Sequence, residues 1–319
     1  MSIMSTSHVE ISSPLSTTTF PISAEERARE TALRKRFADF WGNAKGPLRD
    51  IYDTFIAACP IAEGVSEVSV SGGGVEGWWL RPTSERQERA ILFLHGGGYV
   101  QGSAKAYCGL ASQIASRTRV PVLAIDYPLA PEAVLPAALE AVMVAWRWLR
   151  SATIKKIAIV GDSAGGGLTF ATLAALRRAT DGASAVAGVA FSPWVDLALT
   201  GRSMTDPTIG DPIFDSDYFF RDSAQKYLGG ADPRDPRGSP LFGEHAGLPP
   251  LLIQVGTDER LLDDSRQYAE KAARAGVPVR LEIWQGMHHV FQLDVAHLES
   301  SRVALDRAAA FLTEAFSRG

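Results

Sequence analysis

Six short apolar runs, separated by longer stretches of helical pattern, constrain most strongly how this chain can fold. The runs are nearly continuous in apolar residues, which is typical of strands that are covered on both faces of a sheet. They lie at residues 90–94, 120–125, 157–160, 186–191, 251–255 and 279–284, and helical patterns lie at 136–149, 164–178, 262–275 and 303–316. This order predicts an α/β fold with a mostly parallel sheet and helices on both of its faces. An antiparallel hairpin at 68–70 and 75–80 brings the expected sheet to eight strands.

The 319 residues are enough for one large core, and their composition divides them into three parts. Segment 1–59 has helical character from Ser23 onward, because serine is a good cap for a first turn. Segments 60–192 and 239–319 carry the pattern of strands and helices. Segment 193–238, rich in Asp, Pro and Gly, is too long for an ordinary connection. We expect segments 1–59 and 193–238 to form a helical cap over the carboxyl ends of the strands, where open α/β sheets bind ligands.

The balance of charge points to a small molecule as the partner. There are 32 basic and 36 acidic residues, a net charge of −4, and no run of five like charges, which argues against nucleic acid and anionic membranes. No apolar run reaches the length of a membrane span. Cys59 and Cys108 lack neighbours that would suggest a metal or redox site, so no metal and no cofactor are expected. We expect buried free thiols, with a disulfide as the alternative in an oxidising compartment.

Two further expectations concern the first twenty residues and the last strand. The first twenty residues are rich in Ser and Thr and lack the basic start, apolar stretch and cleavage site of a secretory signal. We therefore expect a cytoplasmic protein with a ragged N-terminus. Residues 279–284 form the last predicted strand, and an edge strand can pair with its own copy. We therefore expect a homodimer through this strand.

The sharpest local signal is segment 161–165, which reads Gly-Asp-Ser-Ala-Gly and lies directly between a predicted strand and a predicted helix. It fits the pattern G-x-S-x-G, in which a strained turn lifts a nucleophilic serine above a sheet. Glycines are needed two residues before and after the serine, because side chains there would clash in so tight a turn. The pattern and its position therefore predict Ser163 as a nucleophile.

A second signal, His-Gly-Gly-Gly at 95–98, follows the strand at 90–94. Consecutive glycines allow backbone N–H groups to face a developing oxyanion with no side chain in the way. We predict that the N–H groups of Gly97, Gly98 and Ala164 form an oxyanion hole. The histidine of this motif is expected to be structural.

A nucleophilic serine of this kind needs a histidine as base and a carboxylate that orients it, in the chain order serine, acid, base. Two histidines, His288 and His289, follow the last predicted strand. Asp258 and Glu259 follow the strand at 251–255. The acidic pair at 263–264 is better explained as the start of a helix, whose dipole favours acids there. The residues themselves leave both choices open.

Taken together, these motifs resemble those of the hormone-sensitive-lipase-like family of bacterial esterases. The matching segments are His-Gly-Gly-Gly at 95–98, Asp-Tyr-Pro-Leu-Ala-Pro-Glu at 126–132, Pro-Ala-Ala-Leu-Glu at 136–140 and Gly-Asp-Ser-Ala-Gly-Gly at 161–166. They occur in the family's order and at similar spacing. The similarity extends over residues 90–291 and implies the α/β-hydrolase fold with a helical cap.

The resemblance also chooses between the neighbouring candidates. The family's acid motif, Asp-Pro-Leu-x-Asp, matches Glu-Arg-Leu-Leu-Asp at 259–263, with Glu in place of the usual Asp. Its base motif, His-Gly-Phe, matches His-Val-Phe at 289–291, thirty positions later as in the family. It therefore implies a triad of Ser163, Glu259 and His289.

The activity implied by the resemblance is hydrolysis of short to medium acyl esters through an acyl-enzyme, without a cofactor. An amidase or lactonase that uses the same residues is one alternative, because the motifs do not specify the leaving group. A non-catalytic receptor on the same fold is another. Aromatic residues that belong either to a substrate pocket or to the core are Phe37, Trp41, Tyr99, Trp194, Phe214 and Phe219.

Overall fold

The structure is a computed structural model that describes residues 14–179, 184–214 and 216–318. Its strands are β1 (Leu15–Phe20), β2 (Val65–Gly72), β3 (Val75–Pro82), β4 (Arg89–Leu94), β5 (Val122–Ile125), β6 (Lys156–Asp162), β7 (Gly188–Phe191), β8 (Leu251–Gly256) and β9 (Val279–Trp284). Its α-helices are α1 (Ala24–Asn43), α2 (Leu48–Ile56), α3 (Cys108–Thr118), α4 (Ala137–Ser151), α5 (Ser163–Arg178), α6 (Tyr218–Leu228), α7 (Leu262–Arg274) and α8 (Glu299–Ser317). All six predicted apolar runs are strands.

One sheet contains all the strands, in the order β1-β9-β8-β7-β6-β4-β5-β3-β2. Neighbours are parallel from β1 to β5, and β3 is antiparallel to both β5 and β2. Alternate side chains of β4 enter different cores. Leu92 packs in the core with α4, α5 and α7, whereas Ile91 and Phe93 pack in the core with α3 and α8. The predicted mostly parallel α/β fold with helices on both faces is confirmed.

The N-terminal strand β1 corrects three expectations. Residues 1–13 lie outside the described residues, but 15–20, expected to be ragged, pair in parallel with β9 over the whole strand. The described sheet therefore has nine strands rather than eight. The expectation that β9 is an edge strand was wrong, because β1 occupies that edge. Its Ser/Thr-rich sequence gives no apolar signal because only the two ends of the strand are partly buried.

Helix α3 was not predicted, whereas Ser23 was correctly predicted to cap the first turn of α1. In α3 almost every residue is buried, so the sequence has no polar face from which a helical period can be read. The N–H of Glu26 donates to the Ser23 Oγ at 3.1 Å, as expected for a capped first turn. Within the described residues, no helix is long and apolar enough to cross a membrane.

Candidate active site

A sharp turn between β6 and α5 holds Ser163 at the carboxyl end of the sheet. The φ of Ser163 is +50°, a left-handed conformation that is uncommon outside glycine. A Cβ at Gly161 would lie 2.3 Å from the carbonyl oxygen of Gly165, and a Cβ at Gly165 would lie 2.0 Å from that of Leu94. Only glycine therefore fits at both positions. This is the strained strand-to-helix turn that the G-x-S-x-G pattern predicts.

His289 connects Ser163 to Glu259. Its Nε2 lies 3.0 Å from the Ser163 Oγ, and its Nδ1 lies 3.3 Å from the Glu259 Oε1. All three side chains are buried, Glu259 completely. They are brought together because parallel strands β6, β8 and β9 end at the same edge of the sheet. A neutral imidazole in this place can accept the serine proton at Nε2 while Nδ1–H donates to the carboxylate.

His288 faces away from this group. Its Nε2 lies 2.9 Å from the Asp294 Oδ2, and its Nδ1 lies 3.5 Å from the Glu30 Oε1 on α1. Among the described contacts it makes none with Ser163. The structure thus brings one of the two candidate histidines to the serine and places the other against α1.

The other acidic candidates are also engaged elsewhere. The Asp258 Oδ2 accepts hydrogen bonds from Arg34 at 2.7 Å and Arg27 at 3.3 Å, both on α1. Asp263 and Asp264 lie in the first turn of α7, as expected, and accept hydrogen bonds from backbone N–H groups of the segment after β7. None of the three makes a described contact with the imidazole near Ser163.

Ser192, directly after β7, is a contact that the sequence did not indicate. Its hydroxyl donates to the Glu259 Oε2 at 2.7 Å and accepts from the N–H of Val290 at 3.1 Å. The same carboxylate oxygen accepts from the N–H of Gly256 at 3.0 Å. One hydroxyl therefore links the loop that carries Glu259 to the loop that carries His289. A serine after a buried strand is too common a pattern to single this one out.

Three backbone N–H groups beside Ser163 are available to a ligand. Gly97 and Gly98 have φ values of +106° and +63°, and Ala164 is the second residue of α5. None of their N–H groups donates to another group within the described part of the chain. The first N–H groups of a helix have no partner inside it. Gly97 and Gly98 line one cavity together with Ser163, and Ala164 directly follows Ser163 at the start of α5.

Asp162 connects the glycine loop at 95–98 to the turn that holds Ser163. Its Oδ1 accepts from the N–H of Gly96 at 3.0 Å, and its Oδ2 accepts from the Tyr107 hydroxyl at 3.0 Å. Burial raises the pKa of Asp162 to about 7, although these hydrogen bonds favour the carboxylate. A Cβ at Gly96 would lie 2.3 Å from the Asp162 Oδ2, so this contact requires glycine in the loop. The sequence pattern treats this Asp as a variable position and therefore did not indicate its role.

An apolar cavity of about 210 Å³ opens above Ser163. Its walls come from α1, α2, the glycine loop, the segment leading into α6 and the loop after His289. Three of the aromatic candidates, Trp41, Phe214 and Phe219, line it. Phe37 lines a neighbouring cavity, and Tyr99 and Trp194 are buried in the core. In the described ranges no group of three or more His, Cys, Asp or Glu side chains is arranged to hold a metal ion.

The charge of His288 should make stability depend on pH. Burial lowers the pKa of His288, but the hydrogen bonds and charges of Asp294 and Glu30 outweigh it and raise that pKa to about 9. Because the folded pKa lies above the ordinary value of 6.5, the contribution is complete below pH 6.5 and is lost as pH rises through 9. We expect the free energy of unfolding, measured with urea, to fall by on the order of 3 kcal/mol over this interval. The fall should be largely absent in His288→Asn, and an equal fall in both proteins would contradict the assignment.

Comparison with known proteins agrees with the fold and the site. Residues 91–293 match the family described as the α/β hydrolase fold. An esterase from the bacterial hormone-sensitive lipase family has a crystal structure that is 36% identical, with a TM-score of 0.85 over 93% of this chain and all of that one. The fold and the site therefore define a serine hydrolase of the α/β-hydrolase class.

Curated relatives narrow the class. An acetyl-hydrolase of Streptomyces hygroscopicus is 41% identical over 243 residues, covering 76% of this chain and 80% of the relative. An esterase of Acinetobacter venetianus is 33% identical over 272 residues, covering 85% and 89%. The chain belongs to the hormone-sensitive-lipase-like carboxylesterases of the α/β-hydrolase family.

Proposed function

We propose that this carboxylesterase hydrolyses short to medium acyl esters with Ser163 as nucleophile, His289 as base and Glu259 as the acid that orients it. The observation that carries the proposal is the unbroken series of contacts from the Ser163 Oγ through both imidazole nitrogens to the Glu259 carboxylate. Ser163 and His289 line an apolar cavity that can hold the ester. No cofactor enters the reaction.

The first half of the reaction forms an acyl-enzyme. The Ser163 Oγ attacks the ester carbonyl carbon while the His289 Nε2 takes the hydroxyl proton. The N–H groups of Gly97, Gly98 and Ala164 stabilise the oxyanion of the tetrahedral intermediate. The intermediate collapses as the imidazolium gives its proton to the alcohol oxygen, so the alcohol leaves and the acyl group stays on Ser163.

The second half repeats these steps with water. His289 removes a proton from a water molecule, whose oxygen attacks the acyl-enzyme carbonyl. The same N–H groups stabilise the second oxyanion. The carboxylic acid is then released as the proton returns to the Ser163 Oγ, which restores the starting state. The Glu259 carboxylate orients the imidazole and stabilises each imidazolium.

We also propose that the helices of the predicted segment 1–59, α1 and α2, form a cap with segment 193–238 over a catalytic domain made of 60–192 and 239–319. Strand β1 of the first segment belongs to the sheet of the catalytic domain instead. Support comes from the cavity walls, since α2 and the segment leading into α6 both contribute apolar side chains above Ser163. Leu48 and Tyr218, at the rim, are 58% and 72% exposed. An apolar rim and lining suit an uncharged acyl chain.

The size of the cavity leads to a prediction about acyl length. Each buried CH₂ contributes about 0.8 kcal/mol, which is about fourfold in affinity, until the cavity is filled. We expect kcat/KM on p-nitrophenyl esters to rise from acetate to a maximum at butyrate or hexanoate and to fall for longer chains. A crystal of the related esterase EstE5, 34% identical with a TM-score of 0.83, was soaked with p-nitrophenyl butyrate.

The measurement is a series of p-nitrophenyl esters from acetate to palmitate, run with the butyryl p-nitroanilide as a matched amide. Activity that increases steadily to palmitate would contradict the proposed chain length. Equal rates on the ester and the anilide would favour the amidase alternative. No turnover of any ester would favour a receptor on this fold.

A cytoplasmic location is part of the proposal and is supported by Cys59 and Cys108, which are buried and not bonded to each other, as in a reducing compartment.

The homodimer stays a prediction, but β9 can no longer be its interface because β1 covers that edge. Measuring the mass in solution at micromolar concentration tests it, and a monomeric mass would contradict it.

A further inference from the structure

Helix α1 makes ion pairs with the two residues that stand next to the proposed acid and base. Asp258, beside Glu259, accepts hydrogen bonds from two arginines of α1. His288, beside His289, lies against a glutamate of the same helix. One helix outside the sheet thus contacts both loops on which the triad depends.

Glu30 is at the centre of these contacts and is completely buried. The single N–H of the Arg34 Nε is shared between both oxygens of the Glu30 carboxylate, at 2.7 and 2.8 Å. Arg34 also donates to Asp258 at 2.7 Å. On the other side the Glu30 Oε1 lies 3.5 Å from the Nδ1 of His288, whose Nε2 is held by Asp294. Glu30 is therefore connected to the acid loop through Arg34 and to the base loop through His288.

The charges of this group cancel when His288 is protonated. Three acidic and three basic side chains take part, namely Glu30, Asp258, Asp294, Arg27, Arg34 and His288. Removing one partner from a buried ion pair leaves an uncompensated charge that the protein tolerates poorly. Loss of the Glu30 charge should therefore shift the loops rather than leave them in place.

Such a shift would reach the reacting atoms directly. His288 and His289 are joined by one peptide bond, so a shift of the backbone at His288 also moves the backbone that carries His289. His289 must keep both of its contacts, 3.0 Å to Ser163 and 3.3 Å to Glu259. A displacement of about 1 Å in a catalytic site can cost about 100-fold in rate.

We propose that Glu30 is a positioning residue for ester hydrolysis, which fixes His289 through His288 and Glu259 through Arg34 and Asp258. The inference rests on the proposed roles of Glu259 and His289. Glu30 itself touches no reacting atom. Its effect should appear mainly in kcat rather than KM, because Glu30 itself lines no part of the cavity that binds the ester.

The test compares Glu30→Gln, which keeps the shape and removes the charge, with Glu30→Asp and with the control Glu25→Gln. Glu25 lies on the same helix, but its side chain is 76% exposed and pairs with Arg29. Reactive Ser163 is counted in the full-length proteins by complete reaction with paraoxon, and kcat and KM on p-nitrophenyl butyrate are then expressed per reactive site. This count separates a loss of folded enzyme from a loss of rate in folded enzyme.

We expect kcat per site to fall by about 10- to 100-fold in Glu30→Gln, with KM within about threefold. Glu30→Asp, which retains the charge, should recover part of the rate, and Glu25→Gln should match the wild type. A fall of less than fivefold in Glu30→Gln would overturn the proposal, even if fewer sites react, because Glu30 would then serve only folding.

If Glu30→Gln does not fold, His288→Gln takes its place, with the same fivefold threshold deciding the outcome. Failure of the proposed function looks different, since wild-type enzyme would then show no turnover that depends on Ser163. Normal wild-type turnover with an unchanged rate per site in the variants would refute the inference alone.

Discussion

Replacing Ser163 by Ala is expected to lower kcat on p-nitrophenyl butyrate by about five to six orders of magnitude, the loss typical of a removed triad nucleophile. The variant keeps the N–H groups and the cavity, so a small rate above the uncatalysed reaction should persist. The measurement is steady-state hydrolysis, beside reaction with paraoxon, which should label the wild type once and the variant not at all. A variant that retains a tenth of the wild-type rate would refute the assignment.

Ser163→Gly provides a matched control for the conformation of the turn. It should be as inactive as Ser163→Ala, because both lack the hydroxyl. It should nevertheless have a higher free energy of unfolding than Ser163→Ala, because the φ of +50° strains alanine but not glycine. A left-handed conformation costs a non-glycine residue about 1 kcal/mol. Equal stability of the two variants would show that the turn stores no such strain.

Replacing Glu259 by Gln is expected to lower kcat by about 10⁴-fold, the loss seen when a triad carboxylate becomes an amide. The amide can donate a hydrogen bond to Nδ1 and so favour the tautomer of His289 whose Nε2 already carries a proton. That tautomer cannot accept the proton of Ser163. The change also removes the charge that stabilises the imidazolium during each half of the reaction.

Asp258→Asn is the matched comparison, one position earlier in the chain. Its carboxylate pairs with Arg27 and Arg34 and has no described contact with His289, so we expect a loss of about tenfold or less. The test measures kcat and KM for both variants on the same ester. A larger loss in Asp258→Asn than in Glu259→Gln would identify Asp258 rather than Glu259 as the acid of the triad.

The catalytic core of the fold could be read from the sequence because its signals are local. Strands buried on both faces must be nearly continuous in apolar residues, and a turn as tight as that around Ser163 admits only glycine at positions 161 and 165. The glycine loop at 95–98 is subject to the same steric limit. These requirements act within a few residues, so each of them left a pattern in the chain.

Other features left no such pattern. The strand β1 is polar, and its place beside β9 depends on a partner more than 260 positions away in the sequence. Ser192 reads as an ordinary serine until the loops that carry Glu259 and His289 meet it. Residue patterns alone did not distinguish His288 from His289, since either could follow the last strand, and only the resemblance to a family chose between them.

The sequence by itself determined the α/β sheet, the serine turn and the glycine loop, because each is imposed by burial or by contacts between near neighbours in the chain. The residue patterns left open which of two adjacent side chains faces Ser163 and which faces α1, and the tertiary structure decides it. Consecutive side chains point in different directions, and that choice depends on partners such as Glu30, which is more than 250 positions from His288. A long-range charge interaction of this kind has no local spacing, and only the folded chain reveals it.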